Sequence, residues 1–116
     1  MRSSKRDPRV YLEDILSAIA RLEKYAVDGR DAFFTNFLVQ DAIIRQVSIL
    51  GEASGKLPKK LIEHYPEIPW KDIISMRNII IHDYSEIDLP TVWDSVEQDL
   101  PQLKKAITVM LKEIPD

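Results

Sequence analysis

The stretch Val92-Trp93-Asp94-Ser95-Val96-Glu97-Gln98-Asp99-Leu100-Pro101-Gln102-Leu103-Lys104-Lys105-Ala106-Ile107-Thr108-Val109-Met110 sets apolar residues at 92, 96, 100, 103, 107 and 110. Steps of four and three put those six side chains on one face of a helix, whereas a half-buried strand would alternate. Pro101 lies inside the pattern, and its missing N–H predicts a kink near residues 97–101. The same period recurs upstream. Asp7-Pro8 reads as an N-cap with proline at the first helical position, followed by Tyr11, Ile15, Ala18, Leu22 and Tyr25 on one face. Asp28-Gly29-Arg30 closes that helix. A second pattern starts near Asp31 and runs as one helix through Val39, Ile43, Gln46, Leu50 and Ala53. Gly51 inside it costs about 1 kcal/mol relative to alanine, which close packing against a neighbour would explain. Gly55 suits its C-terminal cap. Leu57-Pro58 opens a short helix from Lys59 to about His64, ended by Tyr65-Pro66. Pro69 restarts the chain as a helix carrying Trp70, Ile73, Ile74, Arg77, Ile80 and Ile81 and ending near Tyr84, before a polar turn from Ser85 to Asp88. Four long helices and one short one, joined by short connections, predict an all-α antiparallel helical bundle.

The composition agrees. The chain has 116 residues, 45% of them hydrophobic and 30% charged, which suits one soluble folded domain. Three glycines against seven prolines disfavour a sandwich or barrel, which needs many glycine turns. Residues 1–7 read as a basic tail, with Arg2, Lys5 and Arg6, ahead of a single domain over 8–116. That tail is either solvated or an arm for a polyanion. No apolar run approaches the roughly 20 residues of a membrane-spanning helix, and the start carries no signal-peptide pattern. With no cysteine in the chain, disulfides, thiol nucleophiles and cysteine metal sites are absent, and the expected compartment is the cytoplasm. The net charge of −3 is not that of a protein that coats long duplexes, but local anion binding depends on where the cations sit.

Most enzyme signatures are missing: there is no phosphate-binding glycine loop, no His-Glu-x-x-His helix and no serine elbow. Two histidines 18 positions apart make no metal site alone, so none is expected. One segment stands apart, Arg77-Asn78-Ile79-Ile80-Ile81-His82-Asp83-Tyr84. Arginine binds phosphate through a planar fork and stabilises charge developing on it. Histidine moves protons near neutral pH. Together they suit cleavage of an RNA phosphodiester by its own 2′-hydroxyl. On a straight helix, however, Arg77 and Tyr84 share a face while His82 points about 140° away. Either the helix ends or distorts near His82, or a second subunit completes the site. In the structural alternative, Arg77 pairs with Asp72, Asp83 or Glu86 and His82 caps carbonyls at the helix end.

Arginine, four residues, histidine, one residue, tyrosine resembles the signature of the HepT toxins, a branch of the HEPN superfamily of small helical ribonucleases. Asp41-Ala42-Ile43-Ile44-Arg45-Gln46 through Ile49-Leu50-Gly51-Glu52-Ala53 is similar to that family's second helix. Pro69-Trp70 ahead of Ile73 and Arg77-Asn78, and Trp93 followed by Asp99-Leu100-Pro101-Gln102-Leu103, resemble its later segments. The likeness runs over residues 8–112. It implies a homodimer whose paired motifs line one cleft and cut RNA without metal. Arg77 would hold the scissile phosphate and His82 would give or take the proton, with Asn78 and Asp83 supporting. The partner it implies is MntA, a minimal nucleotidyltransferase antitoxin that moves AMP from ATP to the motif tyrosine, here Tyr84; the toxin itself needs no cofactor. The main rival is a HEPN-like module that binds nucleotide or RNA and pairs with a nucleotidyltransferase but does not cut. A structural helical adaptor is a third reading.

Other residues read as packing or surface. Trp70 and Trp93 could stack on bases, but both lie on apolar faces, as do Tyr11 and Tyr25. His64 is expected to be an exposed terminal histidine, Glu52 a partner for Arg45 or Arg77, and Lys56, Lys59 and Lys60 a solvated face able to guide RNA.

Overall fold

Capping chemistry and apolar stripes together set where the helices begin, end and pack. A computed structural model describes residues 7–114, so Arg2, Lys5 and Arg6 of the expected basic tail lie outside the described residues. Helix α1, Pro8–Tyr25, starts where an Asp7 side-chain oxygen accepts from the Arg9 amide, with Pro8 at the first position, as the sequence predicts. After a turn over residues 26–28, Gly29 takes φ 89°, a left-handed conformation that glycine adopts without strain. It opens α2, Gly29–Thr35.

The single long helix expected from Asp31 is in fact two. Asn36 leaves helical geometry at φ −107° and ψ 106°, and its side-chain oxygen accepts from the Leu38 and Val39 amides at 3.0 and 3.3 Å. That cap starts α3, Phe37–Gly55. Asparagine offers the backbone an acceptor that competes with continuing the helix, which the apolar period cannot reveal. At the other end, Gly55 closes α3 with negative φ and Lys56 takes the cap, so no left-handed glycine cap forms there. Helix α4 is short, Lys59–Glu63; α5 spans Trp70–His82; a 3-10 turn follows at Tyr84–Glu86; and α6 runs Leu89–Glu113, continuing through Pro101.

The bundle is antiparallel where its contacts fix direction. The Arg9 guanidinium donates to the Ile114 carbonyl at 2.9 Å, and Lys104 meets Glu23 at 3.1 Å, so α1 and α6 run in opposite senses. Gly51 packs against Ile73 and Arg77 and Gly55 against Ile74, so α3 and α5 lie side by side. The core is built from Leu12, Ile15, Ile19 and Leu22 of α1, Ile43 of α3, and Leu103 and Ile107 of α6, all fully buried. Each such side chain contributes roughly 1.5–3 kcal/mol over leaving it exposed. Phe33 of α2 sits against Trp93, ring centroids 5.5 Å apart. Among the described residues no helix is long and apolar enough to cross a membrane.

Candidate active site

Helix α5 carries the arginine and the histidine on different sides. It packs Trp70, Ile73 and Ile80 into the core. Its C-terminal half is more open than three consecutive isoleucines suggest: Ile80 is buried, but Ile79 and Ile81 are 43% and 51% exposed. His82 is the last helical residue and is exposed. Helical geometry thus persists through His82, leaving it about 140° around α5 from Arg77. The helix ends at His82, one of the two alternatives the sequence left open, so the face that a straight helix would give Arg77 and Tyr84 does not extend to Tyr84. Asp83 breaks the helix at φ −150° and ψ 57°, its amide bonding the Ile79 carbonyl at 2.8 Å. The Glu86 amide then bonds the Asp83 carbonyl at 2.8 Å, drawing Tyr84 into the 3-10 turn. Tyr84 is 58% exposed there.

Arg77 is fixed at its base and unsatisfied at its head. A methyl group on Gly51 would overlap Arg77 Cβ and lie 2.8 Å from the Ile73 carbonyl oxygen, so α3 and α5 touch at backbone distance only because residue 51 has no side chain. Close packing is therefore why this glycine stands in mid-helix. Arg77 Nη1 donates to Asn78 Oδ1 at 3.1 Å. Arg77 Nε is buried with no hydrogen-bond partner. Leaving a buried donor unmade costs about 1–3 kcal/mol, more for a charged group, and such a group asks for an explanation. None of Asp72, Asp83 and Glu86 pairs with Arg77 among the described residues, so the ion pair of the structural alternative does not form. Nor does Glu52 pair with Arg45 or Arg77; it meets Lys56 at 3.5 Å.

The remaining candidates separate cleanly. Trp70 and Trp93 are buried, 6% and 4% exposed, and the Trp70 indole donates to the Tyr65 carbonyl at 3.0 Å, so both are core residues. Tyr11 is buried, Tyr25 is partly buried, and His64 is exposed at the end of α4. Lys56 lies 6.0 Å from the Tyr11 ring centre, and Lys59 and Lys60 are exposed. The acidity of the Tyr65 phenol departs from the ordinary. Loss of water around its phenol, then the hydrogen bond to Glu113 at 2.9 Å, pushes its pKa up. It belongs to the α4–α5 connection rather than to the Arg77 region. Among the described residues no three His, Cys, Asp or Glu side chains converge as metal ligands.

What spacing did not reveal is the Arg77–Asn78 hydrogen bond and the openness of Ile79 and Ile81. The polar residues Arg77, Asn78, His82 and Asp83 around the isoleucines were the available signal.

Comparison with known proteins points the same way. The family model described as Ribonuclease HepT-like matches residues 15–110. A Thermococcus cleftensis protein provisionally named ribonuclease HepT is 39% identical over 104 residues, covering 86% of this chain and 92% of that one. A Methanocaldococcus jannaschii protein provisionally named an RNase is 34% identical over 113 residues, 97% of each chain. A longer protein of the same organism, provisionally named both a gamma-glutamylcyclotransferase and an RNase, is 40% identical over 111 residues. This chain spans 50% of that longer protein. No solved structure matches the chain. The helical bundle, the Arg77-to-Tyr84 segment at the end of α5 and a family match over most of the length agree, and the chain belongs to the Ribonuclease HepT-like family.

Proposed function

We propose that this protein is a metal-independent endoribonuclease toxin that works as a homodimer and is silenced by AMP transfer to Tyr84. The observation that carries the reading is Arg77, a guanidinium anchored against Gly51 with a buried, unpartnered Nε and no carboxylate beside it. A phosphate oxygen would satisfy that donor and use the arginine's fork. Exposed Ile81 and Tyr84 beside His82 favour a second copy closing over this end of α5, which would set the His82 of each protomer near the Arg77 of the other.

In the proposed reaction the ribose 2′-oxygen attacks the adjacent phosphorus as its proton passes to a His82 imidazole. Arg77 stabilises the added negative charge on the phosphoryl oxygens. The bond to the 5′-oxygen breaks and that oxygen takes a proton from imidazolium, the second His82 of the dimer suiting this role. The products are a 2′,3′-cyclic phosphate and a free 5′-hydroxyl. Asn78 orients the Arg77 head through its hydrogen bond, and Asp83 sets where the helix ends and so where His82 stands. For silencing, the Tyr84 oxygen attacks the α-phosphorus of ATP on a nucleotidyltransferase antitoxin, a tyrosyl–AMP bond forms and pyrophosphate leaves. The adduct adds bulk and negative charge beside the RNA path.

The deciding experiment expresses wild type and His82→Ala in a bacterial host and follows growth and total RNA. The expected result is growth arrest with new 5′-hydroxyl RNA ends in the wild type only, with both proteins equally helical and equally dimeric. Intact RNA and normal growth in both, with Tyr84 free of adduct, would instead favour the non-cutting binding module. Unfolding of His82→Ala would favour a structural role for the histidine.

A further inference from the structure

Around α5, the flank opposite Arg77 has a different character. Helix α5 packs on α3 and α6 packs on α1, and between α5 and the first half of α6 an open groove of about 360 Å3 remains. Its floor is apolar, made by Met76, Ile79 and Ile80 of α5 with Ile87 and Val92. Its rim is acidic, made by Asp72, Glu86, Asp88, Asp94 and Asp99, and no lysine or arginine lines it. Among the described residues, cations offset little of this charge: of the rim carboxylates Asp94 alone has one, Arg30 at 3.8 Å, with both side chains more than half exposed. Asp88 is engaged by the Thr91 amide and Asp99 by the Ser95 hydroxyl, contacts that hold the carboxylates in place without neutralising them.

We propose that this groove docks an amphipathic basic helix of a partner protein. The α5 wall presents Asp72, Ser75, Met76 and Ile79, spaced as a helical face, and the α6 wall from Asp88 to Asp99 is about 16 Å long, room for roughly three turns of a third helix. An apolar stripe on the occupant would cover the floor, and flanking lysines or arginines would lay their stems along the walls and set their charges against the rim. RNA is disfavoured here, because its phosphates would meet the carboxylates with no compensating cation. A second copy using the same face is disfavoured for the same reason, since a two-fold contact sets each rim against its twin. Arg77 faces away from the groove, whereas His82, three residues on from Ile79 and seven from Ser75, shares its side of α5.

The test titrates the full chain into two fluorescent peptides of about 14 residues, one with leucine and lysine at helical spacing and one with leucine and glutamate in the same places. The lysine peptide is expected to bind and the glutamate peptide not. Binding should weaken about tenfold in Asp72→Asn/Glu86→Gln and be blocked in Ser75→Trp, which fills the groove from an exposed position. It should be unchanged in Glu13→Gln/Glu63→Gln, which removes equal charge elsewhere. Equal loss in both charge pairs, or no loss in Ser75→Trp, means the peptide binds the acidic surface at large and overturns the proposal. A change in the number of protomers per particle in Ser75→Trp overturns it in favour of a second copy, and weakened RNA binding in that variant overturns it in favour of nucleic acid. Melting curves matching the wild type confirm that each variant is folded.

Discussion

Replacing Gly51 with alanine sets two effects of opposite sign against each other, and the geometry decides between them. Alanine in a helix interior is favoured over glycine by about 1 kcal/mol, so on propensity alone the variant is more stable. The added methyl, however, meets Arg77 Cβ, Arg77 Cγ at 3.3 Å and the Ile73 carbonyl oxygen at 2.8 Å. Neither Cβ nor a helix carbonyl is the free end of a flexible side chain, so relief requires α5 to move off α3 by roughly half an ångström. Over-packing of this kind costs about 1–3 kcal/mol, and the net expectation is a loss of up to about 2 kcal/mol. For a chain of this size that lowers Tm by up to about 10 °C, read by far-ultraviolet circular dichroism. RNA cleavage should fall by about ten- to a hundredfold even well below Tm, because the shift displaces the base of Arg77. A Tm that rises by several degrees would refute the reasoning, since it means the two helices do not meet at backbone distance.

Three further outcomes are expected. Tyr84→Phe keeps RNA cleavage within a few-fold of wild type and accepts no AMP from the partner nucleotidyltransferase; an adduct found by mass spectrometry on another residue would move the modification site. RNA cleavage by purified protein persists in excess EDTA, and activity lost there but restored by magnesium would sink the metal-free mechanism. Asn36→Ala removes the acceptor for two α3 amides and costs about 0.5–2 kcal/mol of stability in urea unfolding, with cleavage by the folded protein unchanged; no loss would mean that the packing of Phe33, rather than the cap, breaks the helix.

Much of the bundle is legible in the apolar period. The faces of α1 and α6 follow the spacing of Ile15, Leu22, Val96 and Leu103 because burial is non-directional and rewards any side chain on the inner stripe. Gly51 was legible for a related reason: a costly residue in mid-helix implies a close neighbour. The break at Asn36 was not, since a cap depends on one side chain turning back to its own backbone, and the apolar stripe passes through it undisturbed. The site divides the same way. The residue types from Arg77 to Tyr84 suit phosphate chemistry, but the direction of Tyr84 depends on where the helix stops, and Asp83 sets that with a backbone conformation no period encodes. The groove escaped notice because it is made by the separation of α5 and α6, and aspartates that read individually as surface and cap residues acquire meaning only when both walls are seen together.

The pairing of α1 with α6 also governs when this protein can come into being on the ribosome. Arg9 reaches the carbonyl of Ile114, a contact spanning 105 positions of sequence. Helices α1, α3 and α5 can associate in order as they emerge, but the outer side of α1 stays uncovered until the last helix has been made. At about 5–20 residues per second, the nascent chain spends several seconds or more with that apolar stripe exposed. Because the bundle closes with α6, a shortened product of an interrupted translation lacks the helix that completes its core. Such a fragment lacks the packing that covers α1, and with it the core on which α3 and α5 rest.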